Sequence, residues 1–566
     1  MVFLLRPRNL VVVLLLATLG CGARTVSSGS AQNPVQSADQ LAVTNVAAAA
    51  SDSQSATVTW ATNLPATSQV EYGTTTAYGT ATSISPEMVT AHSAVMTGLA
   101  PNTEYHYRVH SKTASNDEAV SPDGVVTTTG QSNSGSGPFA TLCSTPPTGR
   151  TLNANPSNYR KMLSTLQPGD TLVLAAGNYS LLTINHLNGI ASNCITITGP
   201  SSGPPAVIQG ASGNNTVEIS SSSYLTIKNL VIDSLGIDGA FGISAHGDSS
   251  TPTHHILIQG NTLVGQNSGQ QTDGISTKIP TWGWVIRQNI INGAGTGIYL
   301  GKSDGTDPFV AGVIEDNLIE NPIGYCMEIK YQVSRPNIPG MPMTPSATLI
   351  RNNVFIKNDQ SSPDGDRPNL LVGGFPDSGA GSMDMYEIYG NFFYHNPREA
   401  LFQGSGRISF HDNVLVDGQY TAAIFRDHDL PLKLAYVYNN TVYSTQAGIT
   451  IGSAAPQGEA VIGNAVFAAK PLSGSISNQQ DNVTDTMANA ALYVTAPSFT
   501  LGKMKFYPLP GKLQGTALPL LQFASDPDYN LDFNRTAKAS MTFRGAYAGS
   551  GMNPGWQLQA GIKVVH

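Results

Sequence analysis

From residue 41 onward the chain alternates apolar and polar positions in short runs broken by turn residues. Between 41 and 129 the clearest runs are Ala56-Thr57-Val58-Thr59-Trp60, Gln69-Val70-Glu71-Tyr72 and Tyr105-His106-Tyr107-Arg108-Val109. Period-two alternation at this close spacing predicts an all-β sandwich with Trp60 as its core anchor. After Asn158 the pattern changes. Residues 159–166 have the spacing of a short amphipathic helix, and residues 170–179 then read as a strand ending in a turn. Beyond them an asparagine followed by two mostly apolar residues recurs at Asn229, Asn261, Asn289, Asn317, Asn353, Asn391, Asn413, Asn440 and Asn464. The intervals are 32, 28, 28, 36, 38, 22, 27 and 24 residues.

A strand-like unit recurring every 20 to 40 residues predicts a solenoid, because one such coil cannot bury a face alone but stacked coils can. Asparagine suits a tight corner, since it tolerates the left-handed backbone conformation. Stacked at one corner, its side-chain amides can also bond to each other from coil to coil. Each corner is followed by a second strand. Examples are Gly242-Ile-Ser-Ala-His246, Gly274-Ile-Ser-Thr-Lys278, Gly297-Ile-Tyr-Leu-Gly301-Lys302, Met327-Glu-Ile-Lys330, Asn369-Leu-Leu-Val-Gly373 and Ala422-Ala-Ile-Phe-Arg426. Strand alternation turns Ile243, Ile275, Ile298 and Ile329 into the bore and His246, Lys278, Glu328 and Lys330 outward. Coils stack at ~4.8 Å, so equivalent outward positions form a column that a polymer could follow. The long insertions at 333–347, 358–368 and 374–382 flank the coils carrying Lys330 and Asn369, and insertions in a solenoid tend to line its functional face.

Composition narrows the classes. Of 566 residues only 12% are charged (29 Lys+Arg, 37 Asp+Glu), with 57 glycines and 40% hydrophobic residues. Helical bundles and coiled coils are excluded by the shortage of charge for their wet faces. A net charge of -8 spread over the chain does not suggest nucleic-acid binding. Residues 1–21 read as a targeting segment, with Arg6 and Arg8 ahead of a short apolar run too brief to span a bilayer. Residues 22–40 are a Ser-, Gln- and Ala-rich tether and residues 130–140 a linker. Export permits disulfides, and Cys143 with Cys194 is the plausible pair. Cys326 is expected as a buried thiol, and no Cys or His spacing suggests a zinc site.

Several of these motifs resemble known families. The Gly20-Cys21 ending is similar to a bacterial lipoprotein signal, in which Cys21 is lipidated; simple secretion is the alternative. The resemblance implies an outer-membrane or cell-surface lipoprotein, in contact with membrane only through Cys21, and the chain is expected to be monomeric. Gly98-Leu99-Ala100-Pro101-Asn102-Thr103-Glu104-Tyr105 resembles the tyrosine corner of fibronectin type III modules and also the N-terminal domain of purple acid phosphatases. No metallophosphatase metal motif follows it. The Asn repeat resembles the right-handed parallel β-helix of the pectin-lyase-like superfamily, occupying 141–566 with its caps. Gly545-Ala546-Tyr547 resembles the usual C-terminal closing segment. Glu328-Ile329-Lys330 is similar to the Glu-Ile-x-x-Lys strand of the alginate lyase and chondroitinase B family, whose lysine abstracts the C5 proton of a uronate. That family's Arg-His-Gly strand end is absent from the next coil, which reads Asn369-Leu370-Leu371-Val372-Gly373. Gln271-Thr272-Asp273-Gly274 resembles the Asn-Thr-Asp-Gly stretch of polygalacturonases, but that family's later motifs are absent, so Asp273 reads as a turn residue.

The leading expectation is therefore an exported lyase on an acidic polysaccharide. Lys330 is the candidate base, and Glu328 is its partner or a Ca²⁺ ligand. Arg426 and His428 are placed at a neighbouring subsite, in the densest charged stretch, Arg426-Asp427-His428-Asp429. Candidate substrate contacts are Lys278, Lys302, His246, Arg367 and Trp284, with Trp282 and Trp284 on one face able to stack on sugar rings. Lys278, Lys302 and Lys330 in a row would lower each other's pKa by like-charge repulsion. In the structural alternative, Lys330 and Glu328 are only an exposed ion pair. Two further readings stand beside the lyase. One is a non-catalytic carbohydrate-binding or adhesive surface protein; the other is a glycoside hydrolase, for which the outward strands offer no obvious carboxylate pair.

Overall fold

A computed structural model describes residues 40–50, 55–97, 99, 103–127, 141–247 and 252–563. The targeting segment with Cys21, the tether to residue 39, the linker and positions 98 and 100–102 of the tyrosine-corner segment lie outside the described residues. The chain divides into two units, Met1–Thr128 and Thr129–His566.

The first unit is a small antiparallel β domain built around the long strand Ser55–Gly73, which pairs with Val43–Ala50, Ser85–Thr97 and Glu104–Lys112. The alternation of Glu104–Lys112 becomes alternating burial: Tyr105, Tyr107 and Val109 point into the core, and the residues between them do not. Trp60 is buried at the centre, stacked on His92 at 5.0 Å, and its indole N–H donates to Ser111 Oγ at 2.9 Å. A buried tryptophan finds a partner for its one donor in this way.

The second unit is a parallel β-helix. Three parallel sheets of 12, 11 and 13 strands run along it, and each coil passes once through each sheet. One coil is His254–Gln259, then Thr262–Val264, then Asp273–Thr277, so a coil holds a third strand in addition to the two apparent in the repeat. We call these, in that order, the first, second and third sheets. On the third sheet Val217, Ile243, Ile275, Ile298, Met327, Leu370, Phe402, Ala423 and Ile449 stand in register and fill one wall of the bore. The short helix Tyr159–Leu163 buries Tyr159 and Leu163 against the first coils, covering apolar surface that would otherwise end in water. Cys143 and Cys194 are disulfide-bonded, and Cys326 is a buried thiol.

The asparagine ladder lies at the corner between the first and second sheets. Each Asn Nδ2 donates to the next Oδ1, from Asn261 through Asn289, Asn317, Asn353, Asn391, Asn413, Asn440 and Asn464 to Asn482, at 2.9 to 3.1 Å. The same Oδ1 accepts the neighbouring Asn backbone N–H, and Nδ2 also donates to a carbonyl of the adjacent coil, as Asn317 does to Ile286 O at 2.8 Å. The left-handed residue, however, is the one before each ladder asparagine. Gln288, Asp316, Asn352, Asp412, Asn439 and Asp481 have φ between 51° and 56°, and glycine stands there at Gly260, Gly390 and Gly463. The ladder asparagines are held for their amides. Asn229 belongs with the left-handed set, because Leu230 and not Asn229 occupies the ladder position and accepts no place in the amide chain; Leu230 N donates to Asn261 Oδ1 instead.

The segment after residue 486 packs on the outside of two sheets. Ala490, Phe506, Tyr547 and Leu558 cover the second sheet over Val354, Phe392 and Val414, while Leu518, Leu520 and Phe523 cover the first over Tyr438 and Ile462. Gly545-Ala546-Tyr547 thus lies along the side of the coils: Gly545 N donates to Gly463 O and Ala546 N to Thr441 Oγ1. No such cluster covers the outward face of the third sheet among the described residues.

Candidate active site on the third sheet

Two outward columns run along the third sheet. In the first, Glu218, Ser244, Ser276, Tyr299, Glu328, Leu371, Gln403, Ile424, Thr450 and Ser473 follow one another coil by coil. The second lies just past the strand ends, where Lys330 N donates to Leu300 O, Gly373 N to Ile329 O, Ser405 N to Val372 O and Arg426 N to Gly404 O. Lys330 therefore stands between Gly301 and Gly373. A Cβ at Gly373 would lie 2.3 Å from Tyr331 N, and Gly301 has φ +85°, so both neighbours must be glycine and neither crowds the lysine.

The sequence placed His246, Lys278, Glu328 and Lys330 outward, and the structure agrees on that orientation while pairing the charges. Lys330 Nζ lies 2.8 Å from Glu328 Oε1, and Glu328 is buried where Lys330 is half-buried. Lys278 Nζ lies 2.7 Å from Asp273 Oδ2 and within 4.9 Å and 5.1 Å of the Phe241 and Tyr299 ring centres. Lys302 turns to Asp304 (3.0 Å) and Asp307 (3.6 Å). The lysines thus face carboxylates and not one another, and the expected mutual lowering fails at Lys302, whose pKa is raised by its bond to Asp304. His246 is exposed, 3.9 Å from Glu218.

Asp273 is no turn residue. It opens the strand Asp273–Thr277, is 2% exposed, and has its pKa raised to about 6 by burial, against the pull of Lys278 and helped by the charge of Glu328. Burial likewise raises the Glu328 carboxyl above its ordinary value, opposed first by Lys330 and then by Arg367 and His428. Tyr299, directly in register with Glu328, is pushed up by burial and by the Glu328 and Asp273 charges, so its phenol stays protonated. Tyr299 was not singled out from sequence, and Asp273 was noticed there but read as a turn residue. The signal for Tyr299 was its outward parity in Gly297-Ile-Tyr-Leu; for Asp273 it was the short polygalacturonase-like stretch.

Other expectations meet a different outcome. Trp282 and Trp284 are both fully buried: Trp284 lies in the bore with its N–H on Thr253 O, and Trp282 stacks on His254 at 4.4 Å. No sugar reaches either. Arg367 lies over the Tyr325 ring at 5.6 Å, with its guanidinium also on Asp364 O and Asp366 O. Phe425 faces the bore, which turns Ile424 and Arg426 outward and settles the direction of Arg426. Arg426 bonds Gln403 Oε1 on the previous coil at 2.8 Å, and His428 lies 3.0 Å from Asp429.

The insertions are anchored. Arg335 donates to Pro342 O within the first and pairs with Asp384, just past the end of the third. Gln270 holds the second by accepting from Asp364 N and donating to Gly365 O. Among the described residues no group of three or more His, Cys, Asp or Glu side chains could hold a metal ion. A Ca²⁺ ion at Glu328 would have to displace Lys330 from its carboxylate, so the donor set does not fit Ca²⁺.

The model of the purple acid phosphatase N-terminal domain matches residues 43–128. No curated protein matches the chain by sequence. Among solved structures, an alginate lyase from Paenibacillus sp. strain FPU-7 is 18% identical, with 60% of this chain and 98% of that one covered and a TM-score of 0.35. The alginate lyase AlyGC is 15% identical over 59% of this chain and 51% of that one, with a TM-score of 0.40. An exopolygalacturonase from Yersinia enterocolitica is 11% identical over 79% and 98%, with a TM-score of 0.22. The chain is a parallel β-helix protein carrying an N-terminal antiparallel β domain.

Proposed function

We propose that this chain is an exported polysaccharide-active enzyme, a lyase on a uronate polymer, with Lys330 as the base. The observation that carries the reading is the group Asp273, Lys278, Tyr299, Glu328 and Lys330 on adjacent coils of the third sheet, in a chain otherwise poor in charge. Moving the shared proton from Lys330 Nζ to Glu328 Oε1 leaves a neutral amine, and burial favours the uncharged carboxyl. That amine takes the proton at C5 of the uronate. The electron pair forms the C4–C5 double bond, the C4–O bond breaks, and the Tyr299 phenol protonates the departing oxygen. Arg367 supplies positive charge against the substrate carboxylate as charge builds on it, and Arg426 holds a neighbouring sugar.

The test is ultraviolet absorbance of the unsaturated product on a panel of alginate, polygalacturonate and glycosaminoglycans. No unsaturated product from any of them sinks the lyase. A second reading rests on Asp273, which supplies the second buried carboxylate that a hydrolase needs. New reducing ends without unsaturation would favour it. Binding without turnover would leave a carbohydrate-binding surface protein.

A further inference from the structure

Resting on that reading, we propose that a second carbohydrate subsite lies at the C-terminal end of the same face. It is a groove lined by Tyr420, Ile424, Gln446, Thr450, Lys470 and Ser473, and it takes a sugar ring and carboxylate of the acidic polymer held at Lys330.

Three observations place it. The groove continues the column of the site: Glu328, Leu371, Gln403, Ile424 and Thr450 are successive partners in register. Four coils separate Glu328 from Thr450, or ~19 Å at the ~4.8 Å spacing of strands. A bound polymer following the sheet must cross it.

The charge changes along the face. Around Lys330 every lysine has a carboxylate. Past Glu328 the strands Leu370–Val372, Phe402–Gly404, Thr421–Phe425, Ala447–Ile451 and Lys470–Gly474 carry no acidic residue. Their one charged residue is Lys470, which is exposed and takes part in no ion pair among the described residues. Arg426 stands just past the strand Thr421–Phe425, with Asp427 and Asp429 in the turn after it, and the strand surface itself, free of carboxylates, suits a carboxylated chain.

The groove also carries the contacts a sugar ring uses. Tyr420 is 54% exposed at its edge, a large aromatic left in water that can stack on the C–H face of a pyranose. Thr450 Oγ1 and Ser473 Oγ lie 2.9 Å apart and offer paired hydroxyls, and Gln446 adds an exposed amide.

Tyr420→Ala and Lys470→Ala, both at exposed positions, test the subsite in the full chain. Affinity electrophoresis through alginate, polygalacturonate and a glycosaminoglycan would be run beside binding of their disaccharides. Each variant should weaken retention of the polymer about threefold to tenfold, the equivalent of one lost ring or charge contact, with disaccharide binding at the Lys330 end unchanged. Variants that migrate as wild type, in a protein retained by the polymer, overturn the subsite and leave the site at Lys330 standing. A wild-type chain retained by none of the polymers overturns both.

Discussion

Lys330 Nζ, one residue past the strand Met327–Ile329, lies 2.8 Å from Glu328 Oε1 within it, with the carboxylate the more buried of the two. An exposed pair of this kind stabilises little; a half-buried pair flanked by two obligatory glycines is arranged for access. Lys330→Ala should lower kcat/KM on uronate polymers by about 10²- to 10⁴-fold, the range for loss of a positioned base. Retention on the polymer should remain. A variant with turnover near wild type assigns the base elsewhere.

Asp273 gives a pH signature. Its folded pKa is raised to about 6 from 3.8. Between those values the folded state holds a proton that the unfolded state has released, so this group's contribution is most favourable below pH about 4 and is lost as pH rises through about 6. The size is on the order of 3 kcal/mol. Asp273→Asn removes the dependence, so the stability of wild type relative to the variant should fall across that window in urea titrations. Parallel curves would contradict the buried, proton-retaining carboxylate.

Metal removal is the third test. Glu328 and Asp273 are each paired with a lysine, and in the proposed lyase reaction Arg367 supplies the positive charge, so treatment of the protein with EDTA should change turnover less than about twofold, well short of the loss expected when a Lewis acid is removed. Loss of activity restored by Ca²⁺ would show that the ion enters by displacing Lys330.

The disulfide makes a fourth. Cys143 and Cys194 are 51 residues apart in sequence. In the chain-entropy model, closing a loop of that length stabilises by about 4 kcal/mol. Cys143→Ser with Cys194→Ser should lower the unfolding free energy of the β-helix unit by that amount or somewhat less, read as a lower urea midpoint. An unchanged midpoint would mean that the cross-link adds nothing to the stability of the coils.

The fold could be read from the sequence because a solenoid repeats its constraints. One asparagine per coil and an apolar strand 9 to 14 residues after it, with Ile243, Ile275, Ile298 and Ile329 following Asn229, Asn261, Asn289 and Asn317, announce a corner and a bore. Register within the repeat was harder: Asn229 satisfies the same pattern as Asn261 while sitting one place earlier, because Asn is favoured both for left-handed backbone and for amide bonding. The outward parity of Glu328 and Lys330 was legible for the same reason. Their partners were not. Asp273 reaches Lys278 from the other end of its own strand, and Tyr299 reaches Glu328 from the previous coil, relations set by stacking between coils of unequal length. Trp284 misled because alternation does not say which face is inside when the flanking strand is only three residues long.

The ladder itself allows a sharper test. Asn317 Nδ2 donates to Ile286 O and to Asn353 Oδ1, and its Oδ1 accepts from Asn289 N and Nδ2. All of these groups are buried, so Asn317→Ala orphans the Ile286 carbonyl and the Asn289 N–H at once. Each buried unsatisfied group costs about 1–3 kcal/mol, which predicts a loss of roughly 2–6 kcal/mol for the two. Asn229→Ala, outside the amide chain, removes a left-handed corner residue and should cost only about 1 kcal/mol, the penalty for a non-glycine side chain there. If asparagine served mainly for its tolerance of left-handed backbone, the order would reverse. Urea unfolding of the two variants side by side decides between them.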